Sequence, residues 1–423
     1  MNVLIVGGGG REHAIAWKLA QSPRVAKIYC APGNAGISEV AECIPIQVDD
    51  IFGLCAFAKE SAIDFAVIGP EGPLAAGIVD EFENQGIRVF GPNKKCAQLE
   101  ASKAFTKQFL ERHSIPTARY QEFIDINEAI LAIGIYGWPM VIKADGLAAG
   151  KGVIIAENHE TALSAIKELM SDKVFGSAGD KLVIEEFLTG IEASVLCFVD
   201  GKTIVPMASA QDYKKIYDGD KGPNTGGMGS YSPSLIFNED LEDTIQNQIL
   251  DPTLSGFMAD GLDFKGVLFV GLMIGKDGPK VIEFNVRFGD PETQSVLMRL
   301  DTELLDIMES VVEGRLADQQ IKWSEDRTIC VVLAADGYPG DYSKGHVITG
   351  LDAMPEEILV FHGGTQFAGN TTVTSGGRVL GVCARGKTAE EARETVYRNM
   401  DKITFNGAQY RKDIGIIGDY SND

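Results

Sequence analysis

Two lysines bracket a run of small residues in Lys143-Ala144-Asp145-Gly146-Leu147-Ala148-Ala149-Gly150-Lys151-Gly152. An apolar run precedes Lys143 and the β-branched Val153-Ile154-Ile155 follow, so the pattern predicts strand, loop, strand. Glycines let backbone N–H groups approach a ligand closely, and two lysines on such a loop suit a polyphosphate. The spacing is not that of a Walker A loop. Three residues separate Gly146 from Gly150, Gly152 stands after Lys151 where a hydroxyl would hold Mg²⁺, and a strand follows instead of a helix. Taken alone, the stretch fits an ordinary glycine-rich hairpin equally well.

A second stretch changes that balance. Pro279-Lys280-Val281-Ile282-Glu283-Phe284-Asn285-Val286-Arg287-Phe288 reads as a strand and runs directly into Gly289-Asp290-Pro291-Glu292. Alternation puts Glu283, Asn285 and Arg287 on one face, with Ile282, Phe284, Val286 and Phe288 packing on the other. A carboxylate beside an amide oxygen offers hard donors suited to Mg²⁺, which keeps substrate phosphate in its shell. Arg287 next to them can neutralise phosphate charge during transfer.

Two more segments carry candidate ligands. Lys181-Leu182-Val183-Ile184 runs into Glu185-Glu186-Phe187-Leu188, and such a chain edge can read adenine through backbone N–H and C=O, with an acid nearby for ribose hydroxyls. Gln211-Asp212-Tyr213-Lys214-Lys215 precedes Gly222-Pro223-Asn224-Thr225-Gly226-Gly227-Met228-Gly229, whose glycine content argues for a functional loop that holds a small substrate.

These residues need elements to position them. Val3-Leu4-Ile5-Val6 predicts a buried parallel strand, followed by Gly7-Gly8-Gly9-Gly10-Arg11-Glu12-His13 and a helix, the opening of a Rossmann-like unit whose glycine turn can receive a phosphate. A dinucleotide reading fails on two counts: Glu12 replaces the third glycine, and the strand over 28–30 ends in Ala31-Pro32-Gly33-Asn34 with no acid for a ribose. A strand over 64–69 ends in Pro70-Glu71-Gly72-Pro73, with a helix expected from about Ala75. Ligands gather at the carboxyl ends of parallel strands, so Gly9, Asn34, Glu71 and Pro73 are expected to line one crevice. A helix over 101–110, two strand–helix pieces over about 120–190, and a last unit of short strands with a helix over 388–400 complete the pass.

The 423 residues exceed one core and predict several domains. A net charge of −22 excludes a generic nucleic-acid binder, so an anionic ligand must be met by a local cluster of cations and backbone N–H groups. The seven scattered cysteines show no zinc spacing and read as reduced thiols; no basic leader or membrane-length apolar run is present, and the expectation is a cytoplasmic protein without membrane or nucleic-acid partners.

Taken in order, the glycine turn at 7–13, the lysine loop at 143–152, the 223–229 loop and the 283–292 strand resemble the phosphoribosylamine–glycine ligase family, within the ATP-grasp superfamily. The resemblance covers essentially the whole chain. It departs at Tyr213 and Lys215, where the family would have His and Arg. It implies a multidomain α/β and α+β fold: a Rossmann-like domain over 1–101, an ATP-grasp core over 102–325 with a mobile lid at about 120–190, and a small α+β cap over 326–423. It also implies that ATP, glycine and 5-phosphoribosylamine give glycinamide ribonucleotide, ADP and phosphate, through glycyl phosphate. The cofactors implied are ATP and Mg²⁺, with Mn²⁺ as a substitute, and a transient contact with the enzyme that makes phosphoribosylamine is a further expectation. On this resemblance Lys103, Lys143, Gly150, Lys151 and Gly152 serve the phosphates, Glu185, Glu186, Phe187 and Leu188 form the adenine edge, and Glu192 is the ribose acid. Glu283 and Asn285 hold the metal and Arg287 steadies the transferred group. Asp212, Lys214 and Asp290 orient glycine, while Gly9, Asn34, Glu71, Pro73, Asn224, Thr225, Gly226 and Gly227 line the substrate crevice. Replacing Glu283 or Arg287 by Ala is expected to abolish turnover with the fold intact. Another ATP-grasp carboxylate–amine ligase and a non-catalytic ATP-binding sensor are the alternative readings.

Overall fold

The computed structural model describes residues 1–147, 152–172 and 176–416. The chain opens with β1 (Asn2–Gly7), α1 (Gly10–Leu19), β2 (Lys27–Pro32), β3 (Glu42–Cys43), α2 (Ile51–Glu60), β4 (Phe65–Ile68), α3 (Glu71–Ala76), α4 (Ile78–Asn84) and β5 (Arg88–Phe90). Their sheet runs β3-β2-β1-β4-β5 with parallel pairing throughout. Val3 to Val6 are sealed from solvent, as strands covered on both faces must be. β2 and β4 flank β1 on opposite sides, so the loops that follow β1 and β4 diverge and leave a crevice.

That crevice is plugged from within. Glu12 on α1 turns back, and its Oε2 accepts the Gly9 N–H at 2.6 Å while Oε1 pairs with Arg11 at 2.6 Å. A Cβ on Gly69 would lie 2.0 Å from Glu12 Oε1, so the loop after β4 also closes on this carboxylate. The helix end where a dinucleotide phosphate would rest therefore carries the protein's own negative charge. This gives the physical reason that the missing third glycine excludes dinucleotide binding. Helix α3 begins at Glu71, earlier than the apolar pattern suggests. An acid at its first position and Pro73 in its first turn, where no intrahelical N–H is needed, explain the early start.

Helices α5 (Lys94–Ala101) and α6 (Lys103–Arg112) meet at Ser102, whose hydroxyl accepts the Phe105 N–H at 3.0 Å and caps α6. A small sheet follows from β6 (Tyr120–Phe123), α7 (Ile126–Leu131), β7 (Met140–Ala144), β8 (Val153–Ala156), α8 (His159–Ile166) and β9 (Leu182–Glu186), in the order β6-β9-β7-β8. Met140, Ile142, Ala144, Leu182 and Ile184 pack on Ala129, Ala162, Ala165 and Ile166 of its helices. The two-residue period then turns Lys143 and Glu185 to the opposite face.

Next come β10 (Ile191–Asp200), β11 (Ile204–Pro206), β12 (Gln211–Asp212), β13 (Lys215–Tyr217), β14 (Lys221–Asn224), β15 (Gly229–Ser232), α9 (Glu239–Ile245), α10 (Asp251–Asp260), β16 (Lys265–Gly275), β17 (Gly278–Asn285), α11 (Glu292–Leu297) and α12 (Leu304–Val312). An antiparallel sheet β11-β10-β16-β17 forms the middle of the molecule. Strict alternation along β17 fails at one place. Gly271 faces Glu283 but Leu272 faces Val281, which leaves Ile282 as the extra residue of a bulge. Val281, not Ile282, is therefore the core residue, and the Ile282 carbonyl is free to point into the cleft.

The chain ends with β18 (Arg327–Ala335), β19 (Ile358–His362), the hairpin β20 (Thr365–Ala368) and β21 (Thr371–Thr374), β22 (Arg378–Gly386) and α13 (Ala389–Met400). The sheet here runs β12-β15-β18-β22-β19, so two strands from before residue 235 belong to it. No described helix is long and apolar enough to cross a membrane.

Asn34 and His13 join the first sheet to the last. Asn34 Nδ2 donates to the Gly8 and His362 carbonyls at 2.9 and 2.7 Å, while Oδ1 accepts the Gly36 and Ile37 N–H groups at 2.9 Å each. His13 Nδ1 accepts the His362 N–H at 2.8 Å, and the two imidazole centroids lie 5.7 Å apart. Burial, and for His13 the neighbouring His362, pushes the rings down to about 3 and about 4, so both are neutral at pH 7. Both folded values lie below the unfolded one, so the unfolded chain binds more protons from about pH 6.5 downward and stability falls with acidification. Between about pH 6.5 and 5, before most carboxylates titrate, each ring accounts for a loss of about 2 kcal/mol. Urea midpoints measured across that window are expected to drop, with a shallower slope in His13→Asn.

Candidate active site

The polar face of the small sheet meets α6. Glu185 Oε2 accepts from Lys143 Nζ at 3.0 Å and pairs with Lys107 Nζ at 3.1 Å, all three side chains being buried. Burial pushes Lys107 down to about 8, with Glu185 opposing and Lys143 reinforcing the shift. Lys107 also donates to Thr117 Oγ1 at 2.8 Å. Glu185 Oε1 is sealed and has no partner among the described residues. Such an atom is costly to leave bare, and it calls for a donor from a ligand. Lys107 stands four residues after Lys103, on the same helical face, and that spacing was the signal available for it.

The remaining nucleotide-side candidates divide. Glu186 is taken by Arg119, through Nε at 2.7 Å and the backbone N–H at 3.0 Å. Phe187 is exposed, and among the described residues no hydrogen bond claims the backbone of Phe187 or Leu188. Glu192 lies on β10 with Lys214 Nζ at 3.3 Å. The Gly152 carbonyl accepts the Ala144 N–H at 2.9 Å and closes the β7–β8 hairpin. Gly150 and Lys151 lie outside the described residues.

Lys143 connects this cradle to β17, because its Nζ also reaches the bulged Ile282 carbonyl at 3.4 Å. Burial would raise the Glu283 carboxyl, but Lys103, Lys214 and Lys143 outweigh that and hold it at about 2, fully ionised. Asn285 Nδ2 donates to Glu283 Oε1 at 3.4 Å, and Arg287 Nη2 donates to Asn285 Oδ1 at 3.0 Å. Arg287 also meets Glu100 Oε1 at 3.1 Å and Glu71 Oε2 at 3.4 Å. Glu100 in turn accepts the Val286 N–H at 2.7 Å, so a buried acid invisible in the sequence pattern fixes the end of β17. The donors present fit Mg²⁺: an ionised carboxylate and an amide oxygen, with no cluster of three or more His, Cys, Asp or Glu ligands among the described residues. A two-oxygen site leaves most of the shell to water and phosphate, as Mg²⁺ prefers.

Lys214 sits between this face and the loop at 224–227. Burial would lower it, but Asp212, Glu192, Glu283 and Glu292 hold it firmly protonated. Burial pushes the Asp212 and Glu292 carboxyls upward, and for Glu292 the nearby Asp212 adds to the rise. Asp212 and Lys214 share one side of the chain. Tyr213 turns the other way, where it lies against Tyr231 and under the Arg411 guanidinium. The departure at Tyr213 thus falls on the side turned from Glu283.

Around the first crevice the placement is mixed. Asn34 spends its whole amide on the stitching described above, and Gly9 gives its N–H to Glu12. Pro73 is buried in α3, while Glu71 faces Arg287. Asp290 closes the crevice from the α11 side. Its Oδ1 accepts from Gln294 Nε2 at 2.8 Å and its Oδ2 pairs with Arg378 at 3.2 Å. Burial would raise Asp290, yet Arg378 and Arg11 keep it ionised. Asn224 ends β14 and Thr225 follows it, while Gly226 and Gly227 lie against Arg378. Arg378 had no sequence signal beyond a glycine turn.

Comparison with known proteins agrees with this architecture. Residues 1–100 match the phosphoribosylglycinamide synthetase N domain, 101–293 its ATP-grasp (A) domain and 328–416 its C domain. The phosphoribosylamine–glycine ligase of Caldanaerobacter subterraneus subsp. tengcongensis is 50% identical over 98% of this chain and 99% of its own length. That of Vibrio cholerae is 49% identical over 98% of both. The crystal structure of phosphoribosylamine–glycine ligase from Thermotoga maritima superposes with a TM-score of 0.86 at 35% identity, covering 98% of this chain and 100% of that one. A biotin carboxylase from Campylobacter jejuni shares the fold at 16% identity and a TM-score of 0.73, over 98% and 94% of the two chains. With a cleft built from the same four motifs and family matches spanning nearly its whole length, this chain belongs to the phosphoribosylglycinamide synthetase family.

Proposed function

We propose that this chain joins glycine to 5-phosphoribosylamine at the expense of ATP, giving glycinamide ribonucleotide, ADP and phosphate in purine biosynthesis. The observation that carries the reading is the double contact of Lys143, to Glu185 in the lysine cradle and to the Ile282 carbonyl beside Glu283. It makes a nucleotide cradle and an oxygen-donor face one continuous site. Relatives near 50% identity that bear the name of this activity support it.

ATP supplies the driving force, since a carboxylate is a poor acyl donor until its oxygen carries phosphate. Lys107 and Lys143 hold the phosphate end of the nucleotide, and the unpartnered Glu185 Oε1 accepts from an amino or hydroxyl group elsewhere on it, since the ionised phosphates carry no donor. The free backbone at Phe187 and Leu188 reads the base. Glu283 and Asn285 would hold Mg²⁺, with Mn²⁺ as a substitute, and the ion would supply charge neutralisation for phosphoryl transfer. The glycine carboxylate needs no base to attack the γ-phosphorus, so alignment and charge dominate the barrier. Arg287, held in place by Glu100 and Glu71, faces the transferred group. The amine of phosphoribosylamine then attacks the acyl phosphate and expels phosphate. Closing the small sheet over the cleft keeps water from the acyl phosphate.

ADP release with Mg·ATP and phosphoribosylamine generated in situ tests the proposal, and it should require glycine as well. Release driven by a different carboxylate would indicate another carboxylate–amine ligase, and nucleotide binding without release would indicate a sensor. Glu283→Ala should lower kcat by about a thousandfold or more, since it removes the ionised oxygen donor. A Glu283→Ala enzyme with near-normal kcat would remove that residue from the site. Arg287→Ala is a poorer test than sequence alone suggests, because it strands the Glu100 and Glu71 carboxylates at a cost of about 3 kcal/mol. Arg287→Lys keeps their compensation and should still lower kcat.

Lys107 gives a pH signature. Its folded value of about 8 lies below that of a free lysine, so it loses its charge as pH rises through about 8. The kcat/KM for ATP, which reports the free enzyme, should fall over that range. Lys107→Arg, charged throughout, should flatten the alkaline limb; a limb unchanged by that substitution would assign it to another group.

A further inference from the structure

The first residue of β22 reaches back into the cleft. The backbone at Arg378 is fixed on both sides, since its carbonyl accepts the Gly364 N–H and the Gly377 carbonyl accepts the Ala335 N–H, each at 2.8 Å. From that mount its Nη1 donates to the Gly226 carbonyl at 2.7 Å and the Asp290 carbonyl at 2.6 Å, while Nη2 pairs with Asp290 Oδ2 at 3.2 Å. Tyr338, just beyond β18, accepts the Gly226 N–H on its hydroxyl at 2.9 Å. Gly227 has φ +117°, and a Cβ there would lie 2.4 Å from Pro291 Cδ. The loop is therefore wedged between the Asp290-Pro291 turn and two side chains of the last sheet.

The wedge is connected onward to the chemistry. Thr225 donates to the Lys214 carbonyl through both its N–H and its hydroxyl, each at 2.8 Å, and Thr225 Oγ1 accepts the Gly227 N–H at 2.9 Å. Lys214 is the cation that Asp212, Glu192, Glu283 and Glu292 surround. A guanidinium can take two carbonyls and a carboxylate at once because its donors lie in one planar fork; an ammonium on a flexible stem cannot reproduce that geometry.

We propose that Arg378, assisted by Tyr338, is a positioning residue for glycine and phosphoribosylamine: it locks the Asn224–Gly227 loop against Asp290 and thereby fixes Lys214 beside Glu283. The inference rests on the reaction assigned above. It gives the last sheet a role in the reaction, that of a third wall whose contribution passes through the loop.

The test uses the full-length chain with Arg378→Ala and Arg378→Lys. It combines ADP release, with phosphoribosylamine generated in situ, and deuterium exchange of backbone amides. For Arg378→Ala the kcat/KM for glycine should fall about a hundredfold, the scale of a misplacement of about 1 Å. The KM for ATP should stay within about twofold, because Lys107, Lys143 and Glu185 are untouched. Lysine should fail to rescue. Exchange should rise over residues 222–231 and stay unchanged over 182–188. Unaltered exchange in the loop, or an intact kcat/KM for glycine, would overturn the proposal, as would a rise in exchange throughout the chain. Should Arg378→Ala fail to fold, Tyr338→Phe removes only the Gly226 acceptor and should show the same pattern on a smaller scale; its absence there would overturn the proposal too. A wild-type chain without glycine-dependent ADP release would sink the reaction assignment instead, and the exchange measurement would still judge the clamp.

Discussion

Two buried ammonium groups cannot stand side by side without a carboxylate between them. Glu185 is that carboxylate, with one oxygen shared by Lys107 and Lys143. The arrangement joins three elements that are distant in sequence: a helix at 103–112 and two strands at 140–144 and 182–186. Removing Glu185 would leave two buried cations uncompensated, far costlier than the net worth of the ion pairs. The same logic extends along the cleft. Glu283 stays ionised because three lysines surround it, and Arg287 stays in place because Glu100 and Glu71 hold it. In a chain of net charge −22, Lys107, Lys143 and Arg287, proposed above to face the phosphates, are not free surface charges: each is held by a named acid, and the ligand must fit what that pairing leaves open.

Much of the architecture was legible in the sequence because period and composition carry it. The buried parallel strand at 2–7, the hairpin around the lysine loop and the oxygen-donor strand at 278–285 all have the alternation or apolar run that their surroundings require. The candidate site was legible only where several of the proposed residues follow one another along one strand and the turn that leaves it. Glu283, Asn285 and Arg287 lie two apart and contact one another in the fold. Glu100 is a single residue on a helix whose role depends on an element that arrives later in the chain, so no local pattern marks it; Lys107 offered only its four-residue spacing from Lys103. The bulge at Ile282 was equally hidden, because a register shift is set by the partner strand and not by the strand itself.

Asn34 and the glycine turn before α1 show the opposite case, in which a sequence suggests ligand contact and groups of the protein itself take up the bonds. The Asn34 amide makes five hydrogen bonds of its own, and the Glu12 carboxylate fills the helix end that glycines would otherwise leave for phosphate. A glycine-rich turn after a parallel strand thus marks close backbone approach, and only the neighbouring side chains decide whether the guest is a ligand or a residue of the same chain.

The last sheet borrows β12 and β15 from a segment far upstream, and β15 lies in its interior between β12 and β18. That arrangement has a consequence for biosynthesis. During translation β15 has only β12 beside it, and its other edge stays unpaired until β18 has left the ribosome, roughly a hundred residues later. The loop that orders Lys214 waits longer still, for Arg378 on β22. A truncated product lacking the final strands would hold its lysine cradle without the segment that couples it to the amine side.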